Sequence, residues 1–327
     1  MNFFGLEFGN DTTLGVPPSH FEPEEGEDVD ARGTRPGVAL ALGGGAARGW
    51  SHIGVLRAMD EAKLPVNMIA GTSIGALVGG CYLAGKLDAL EDFARSLTPR
   101  RIVGLLDLSL RGSGLISGIK LAERMEEHLG GVRIEQLRAP LVCVACEITT
   151  GHEIWLKRGP LIDAVRASYA LPGIFEPVRI GKRILVDGAL VNPVPVPVCR
   201  AFEAQAVVAV NLSSDMYGRG TVVQDLRIED RPLEPIHVRA SDGLGSVVVA
   251  KLASALGVTG VMVEAFNIIQ DRIARSRLAG DPPDFSIYPR VGRIGLAEFH
   301  RADEAIELGY AAAMDAVPRL KGLLGAD

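Results

Sequence analysis

Gly37-Val38-Ala39-Leu40-Ala41-Leu42-Gly43-Gly44-Gly45-Ala46-Ala47-Arg48-Gly49 is an apolar run of strand length that breaks into a glycine-rich turn. The pattern recurs a few residues on. Val66–Ala70 is apolar and breaks into Gly71-Thr72-Ser73-Ile74-Gly75, and the small, apolar segment Ala76–Ala84 after it has helical character. Two strand-to-turn-to-helix units with glycine at the turn predict an α/β layer fold.

The second unit fits a G-x-S-x-G elbow, in which a serine at a sharp strand-to-helix turn lifts its hydroxyl above the sheet edge. Its neighbours two positions away then lie too close for a Cβ, and both are glycine. The helix start beneath Ser73 favours developing negative charge. The plainer alternative is that Ser73 only caps the helix. In the first unit, Gly43, Gly44 and Gly45 can expose consecutive backbone N–H groups as an anion-binding nest, the donor set an acyl-transfer intermediate needs. Arg48 either adds positive charge there or holds the turn by pairing with backbone carbonyls. Dinucleotide binding fits poorly, because a G-x-G-x-x-G register on Gly43 and Gly45 puts Arg48 where the third glycine belongs. A Walker A loop fails for want of a Lys-Ser/Thr pair after the glycines.

At 327 residues the chain can bury one large core, or one core with a small lobe. It is 47% hydrophobic, yet no stretch approaches the roughly eighteen consecutive apolar residues of a membrane span, and no Sec signal is visible. Residues 1–30 carry eight carboxylates and no Lys or Arg, a charge of −8 that leaves the rest of the chain at +2. Residues 1–35 therefore read as an acidic, flexible extension, and 36–327 as the folded domain. Basic residues are scattered without aromatic interleaving, which argues against nucleic acid. The four cysteines lack disulfide-scaffold density, and Cys143 and Cys146 lie on one strand, so neither metal nor redox use is expected and a reducing, cytoplasmic setting is.

Further along, Trp50–Glu61 continues the first helix, and its His52 reads as a histidine with a structural bond. Leu87–Ser96 is a helix, and Leu105–Gly118 a mobile loop beside the site. Ile119–Leu129 is helical, Pro140–Thr149 a central strand, His152–Lys157 its hairpin partner, and Leu161–Tyr169 a helix ending at Ala170-Leu171-Pro172-Gly173. Ser168 lacks flanking glycines and reads as a helix-end polar residue. Lys182–Val186 leads into Asp187-Gly188-Ala189, with Asn192-Pro193 and the alternating prolines to Pro197 fixing the backbone beside it. Ala206–Asn211 is a buried strand, Ser213–Pro232 an excursion, and Ser246–Ala279 mostly helical. Asp284–Val291 is a strand and Ala302–Leu320 the closing helix.

A serine–histidine–aspartate triad would recruit His237 or His300, neither of which sits in a glycine-rich loop at a strand end. A two-residue arrangement, with Asp187 accepting the Ser73 proton directly, is preferred.

With these motifs in hand the chain resembles the patatin-like phospholipases, particularly their compact bacterial members, from about Gly37 to Asn211. The glycine loop ending in Arg48-Gly49, the Gly71–Gly75 elbow and Asp187-Gly188-Ala189 carry the resemblance, with Ala167–Phe175 matching the family's helix end before the substrate cleft. The resemblance implies a three-layer α/β fold, its central and mostly parallel sheet flanked by helices, with a variable C-terminal helical part at about 240–327. It implies a serine acyl hydrolase of lipid esters, with Ser73 and Asp187 as the pair and Gly43, Gly44, Gly45 and Arg48 at the oxyanion hole, and with no cofactor or metal. Phospholipid, lysophospholipid or another acyl ester is the expected partner, with peripheral membrane contact and a homo-oligomer both open. A general carboxylesterase or thioesterase, a non-catalytic lipid-binding module and a nucleotide-binding oxidoreductase are the alternatives.

Overall fold

Val38–Leu42 is buried at every residue, as a continuous apolar run in a two-sided sheet must be. It is the centre of the architecture. The computed structural model describes residues 37–105, 114–116, 119–215 and 257–325. In chain order these form β1 (Val38–Leu42), α1 (Ser51–Glu61), β2 (Val66–Thr72), α2 (Ile74–Leu83), α3 (Leu87–Ser96), α4 (Pro99–Leu105), β3 (Gly114–Ile116), α5 (Ile119–Leu129), β4 (Leu141–Glu147) and β5 (Glu153–Leu156). Then come α6 (Leu161–Tyr169), β6 (Gly173–Phe175), β7 (Val178–Ile180), β8 (Arg183–Asp187), α7 (Val196–Ala201), β9 (Ala206–Val210), α8 (Gly257–Gly280), β10 (Phe285–Ile287) and α9 (Ala302–Leu324).

The main sheet runs β10-β9-β1-β2-β4-β8-β7, with β5 also on β4. From β10 to β4 every pairing is parallel; β5, β8 and β7 join antiparallel. Alternate residues face opposite layers. Leu40, Leu42, Ile69 and Val208 pack with Ile53 and Leu56 of α1, Val78 of α2 and Leu320 of α9. Ala41, Ala70, Val142 and Val207 pack on the other side with Val196 and Val198 of α7 and Ala274 of α8. The result is the expected three-layer α/β fold around a mostly parallel sheet.

Helix α9 is seated on α1 to backbone contact. A Cβ on Gly54 would lie 1.9 Å from the Ile306 carbonyl oxygen, and one on Gly309 would lie 1.9 Å from that of Ser51. The two glycines make a reciprocal notch that no other residue fits.

Several expectations change in detail. The first helix opens with a 3-10 turn, Ala46–Trp50, before α1 begins. The proline-bearing segment after Asp187 contains α7, because Pro197 sits in its first turn, where a missing N–H costs nothing. Of the loop expected at Leu105–Gly118, Leu105 ends α4 and Gly114–Ile116 is a strand paired in parallel with β6, so this stretch is partly regular. The remainder of that loop, the acidic leader, the excursion beyond Asp215, the first part of the Ser246–Ala279 helix and His237 lie outside the described residues. Among the described residues no helix is long and apolar enough to cross a membrane.

Candidate active site

The parallel strands β1 and β2 end side by side, and both site turns leave from that edge. Ser73 links β2 to α2 with φ 57 and ψ −123, a conformation a non-glycine residue rarely holds. The crowding anticipated around it is present. A Cβ on Gly71 would fall 2.5 Å from the Ala76 backbone, and one on Gly75 would fall 2.2 Å from the Leu42 carbonyl oxygen. The capping alternative does not hold, since the Ser73 side chain makes no capping bond to α2. Its hydroxyl instead donates to Asp187 Oδ2 at 2.7 Å.

Asp187 ends β8 and is 3% exposed. Its other oxygen, Oδ1, accepts the Ala189 N–H at 2.8 Å, and its own N–H donates to the Ala170 carbonyl at 2.9 Å. Burial pushes the carboxyl up to about 6, opposed by the bonds from Ala189 and Ser73. A carboxylate half-poised near neutrality beside a serine hydroxyl is suited to taking its proton.

The segment after Asp187 ties the site together. Thr72 Oγ1 donates to the Asn192 carbonyl at 2.8 Å, and Gly44 N–H to the Pro193 carbonyl at 3.0 Å. Elbow and glycine loop are thus both bonded to the segment that follows Asp187, more than a hundred residues further along the chain.

Within the glycine loop the amides are unequally engaged. Gly43 N–H donates to Val210 O at 3.1 Å and Gly44 N–H to Pro193 O, whereas among the described residues no acceptor meets the N–H of Gly45 or Ala46. Ala46 has φ 48, a left-handed conformation at the start of the 3-10 turn. Gly44 borders the serine closely: a Cβ there would sit 3.6 Å from Ser73 Cβ and 3.7 Å from Gln270 Oε1 of α8. Of the two roles open to Arg48, the structure displays the second, its Nε donating to the Ile294 carbonyl at 2.7 Å from a buried position. His52, fully buried, bonds the Gly43 carbonyl through Nε2 at 2.7 Å, and burial holds its pKa down at about 4. Its bond is structural, as expected, and braces the loop from beneath.

Among the described residues no histidine bonds Ser73 or Asp187. His300 lies in the 3-10 turn Phe299–Arg301, which packs against the Ala46–Trp50 turn, α3 and α4. Where β6 follows α6, the Phe175 ring meets that of Tyr169 edge-on with centroids 5.3 Å apart, and a Cβ on Gly173 would lie 3.4 Å from Met262 Cε of α8. One residue acquires a role that its sequence context did not convey. Ser168, fully buried, accepts the Ser73 N–H at 2.9 Å and donates to the Val144 carbonyl at 2.6 Å. The sequence marks it only as a helix-end polar residue, with nothing to name Ser73 and Val144 as its partners.

An elbow serine bonded to a strand-end aspartate beside a glycine loop thus sits at the edge of a three-layer, mostly parallel α/β sheet. The family model for patatin-like phospholipase matches residues 40–200. An uncharacterized NTE family protein of Mycobacterium tuberculosis is 33% identical over 336 positions, covering 86% of this chain and 91% of its own length. Patatin-like phospholipase domain-containing protein 6 of Homo sapiens is 34% identical over 184 residues, 54% of this chain and 13% of that protein. Neuropathy target esterase sws of Drosophila melanogaster is 32% identical over 184 residues, again 54% of this chain and 13% of its own. The chain belongs to the patatin-like phospholipase family.

Proposed function

We propose that the protein is a serine acyl hydrolase of lipid carboxylic esters, of the phospholipase A or lysophospholipase type, working through Ser73 and Asp187. The observation that carries this reading is the 2.7 Å bond from the Ser73 hydroxyl to a buried carboxylate whose pKa stands at about 6. The relatives' names, patatin-like phospholipase and neuropathy target esterase, support the ester-hydrolysing class.

In the first step Ser73 Oγ attacks the ester carbonyl carbon while its proton passes to Asp187 Oδ2. The carbonyl π pair moves onto oxygen, and the glycine-loop amides stabilise that oxyanion. Gly45 and Ala46 supply the unengaged N–H groups, with Gly43 and Gly44 completing the loop's curvature. Each such donor is worth about 3 kcal/mol in the transition state. Collapse of the intermediate breaks the ester C–O bond, and the proton held by Asp187 goes to the departing alcohol. Water then attacks the acyl-enzyme with Asp187 again as base, releasing the fatty acid and restoring Ser73. Arg48 acts through the backbone, fixing the loop against the segment at Ile294. Apolar side chains at the Leu171–Phe175 turn and on α8 offer the acyl chain a wall, at about 0.8 kcal/mol for each methylene buried.

The test is a fluorophosphonate probe combined with turnover of short- and long-chain esters by the parent, Ser73→Ala and Asp187→Asn. The parent is expected to label and to turn over; Ser73→Ala is expected to do neither. Labelling that persists in Ser73→Ala refutes the nucleophile.

A further inference from the structure

We propose that Ser168 is a positioning residue for Ser73, setting the nucleophile through its backbone amide; this rests on the hydrolase reading above. Strands β2 and β4 pair in parallel as far as Thr72 opposite Val144, and Ser73 is the first residue beyond that ladder. At this point the Ser168 hydroxyl stands between the two strands, accepting from Ser73 N–H at 2.9 Å and donating to the Val144 carbonyl at 2.6 Å. An N–H···O–H···O=C relay thus replaces one direct rung. A direct rung would draw Ser73 into extended sheet geometry; the interposed hydroxyl gives the width at which the chain turns out of the sheet at φ 57 and ψ −123. Strained backbone of this kind persists only where its surroundings over-determine it.

The same helix end holds the other half of the pair. Asp187 N–H donates to the carbonyl of Ala170, two residues past Ser168. The C-terminal turn of α6 therefore grips the backbones of both Ser73 and Asp187, and the 2.7 Å gap between their side chains is set by one short rigid piece of chain. Helix α6 packs against α2, β4 and β8, the elements that carry or flank these residues, so its end cannot shift without moving both. Ser168 is fully buried, which keeps the relay out of contact with bulk water. The relay has a second effect. With its N–H committed to Ser168, Ser73 cannot offer its own amide to an oxyanion, and the duty falls to the glycine loop.

The experiment compares Ser168→Ala and Ser168→Thr with the parent on a soluble p-nitrophenyl ester, with rates expressed per site counted by fluorophosphonate titration and with thermal midpoints measured alongside. Removing the hydroxyl lets Ser73 relax toward Val144 and away from Asp187. A displacement on the order of 1 Å at a reacting atom is expected to lower kcat per site by about 10- to 100-fold with KM unchanged within about twofold. The labelling rate constant is expected to fall in parallel, and Ser168→Thr, which keeps the hydroxyl, to recover most of it. Where Ser168→Ala does not fold, Ser168→Cys, which keeps the size but not the short bonds, is read in its place. A purely structural role would lower the midpoint and the number of titratable sites while leaving kcat per site intact, and that result overturns the proposal. So does a folded threonine variant no faster than alanine. A parent that neither labels nor turns over overturns the hydrolase reading itself, an outcome distinct from an active parent indifferent to residue 168.

Discussion

Replacing Asp187 by asparagine separates what the carboxylate does for chemistry from what it costs the fold. Burial holds this carboxyl up at about 6 against an ordinary 3.8. A carboxyl whose folded-state pKa lies above its unfolded value favours the folded protein while protonated. That contribution is complete below the unfolded value and is lost as pH rises through about 6. The interval from 3.8 to about 6, at 1.36 kcal/mol per pH unit, amounts to about 3 kcal/mol. Asparagine keeps the shape, and its amide oxygen can still accept the Ala189 N–H, but it brings no charge to desolvate. Asp187→Asn is therefore expected to exceed the parent in unfolding free energy by up to about 3 kcal/mol at pH 8, and by less than about 1 kcal/mol at pH 4. Activity moves the other way. The parent's kcat/KM is expected to climb about tenfold per pH unit below about 6 and level off above it, while the variant stays low, by about 10²- to 10⁴-fold, and flat. Urea unfolding of both proteins at pH 4, 6 and 8, with ester turnover from pH 5 to 9, reads both effects. An equal stability difference at pH 4 and pH 8, or a parental rate unchanged from pH 5 to 7, would refute the reasoning.

Gly75→Ala is expected to abolish fluorophosphonate labelling and lower the thermal midpoint, because its Cβ meets the Leu42 carbonyl oxygen at 2.2 Å and backbone must move to admit it; wild-type labelling would refute this. His52→Leu removes the brace on the Gly43 carbonyl and is expected to reduce kcat by about tenfold, of the order of one lost hydrogen bond. Its pH–rate profile should not move between pH 6 and 9, since the imidazole titrates near 4 and is neutral throughout that range. His300→Ala is expected to leave kcat/KM unchanged, because among the described residues no histidine bonds Ser73 or Asp187 and the turn that carries His300 packs on α3, α4 and the Ala46–Trp50 turn; loss of activity at normal stability would reopen a triad.

What could be read directly from the sequence is what sterics impose locally. Gly71 and Gly75 leave so little room that the elbow is legible from spacing alone, and the apolar runs of β1, β2, β4 and β9 announce buried strands. The Asp-Gly-Ala element was legible as a strand end beside a rigid proline segment, although proline tolerance in a first helical turn turned that segment into α7. Partnerships made across long separations were not legible. Which glycine-loop amides are already engaged depends on Val210 and Pro193, and the use of Ser168 depends on Val144 and Ser73, none of them neighbours in sequence. At the tail of the sheet β8 was legible as a strand ending at Asp187, but β7 and the antiparallel direction of both were not, for a related reason. Strands of three to five residues carry too few alternations to reveal their direction.

The notch where Gly54 and Gly309 let two helices touch backbone to backbone bears on what may be cut away. The stretch that the family model matches, 40–200, holds Ser73, Asp187 and the glycine loop, yet it stops about a hundred residues before α9. Helix α1 begins directly after the turn that leaves that loop, so α9 packs on the helix beneath the loop from outside the stretch the family model matches. A fragment trimmed to 40–200 would retain Ser73, Asp187 and the glycine loop while baring the face of α1 that α9 covers. The packed unit of this protein is therefore larger than the stretch the family model matches.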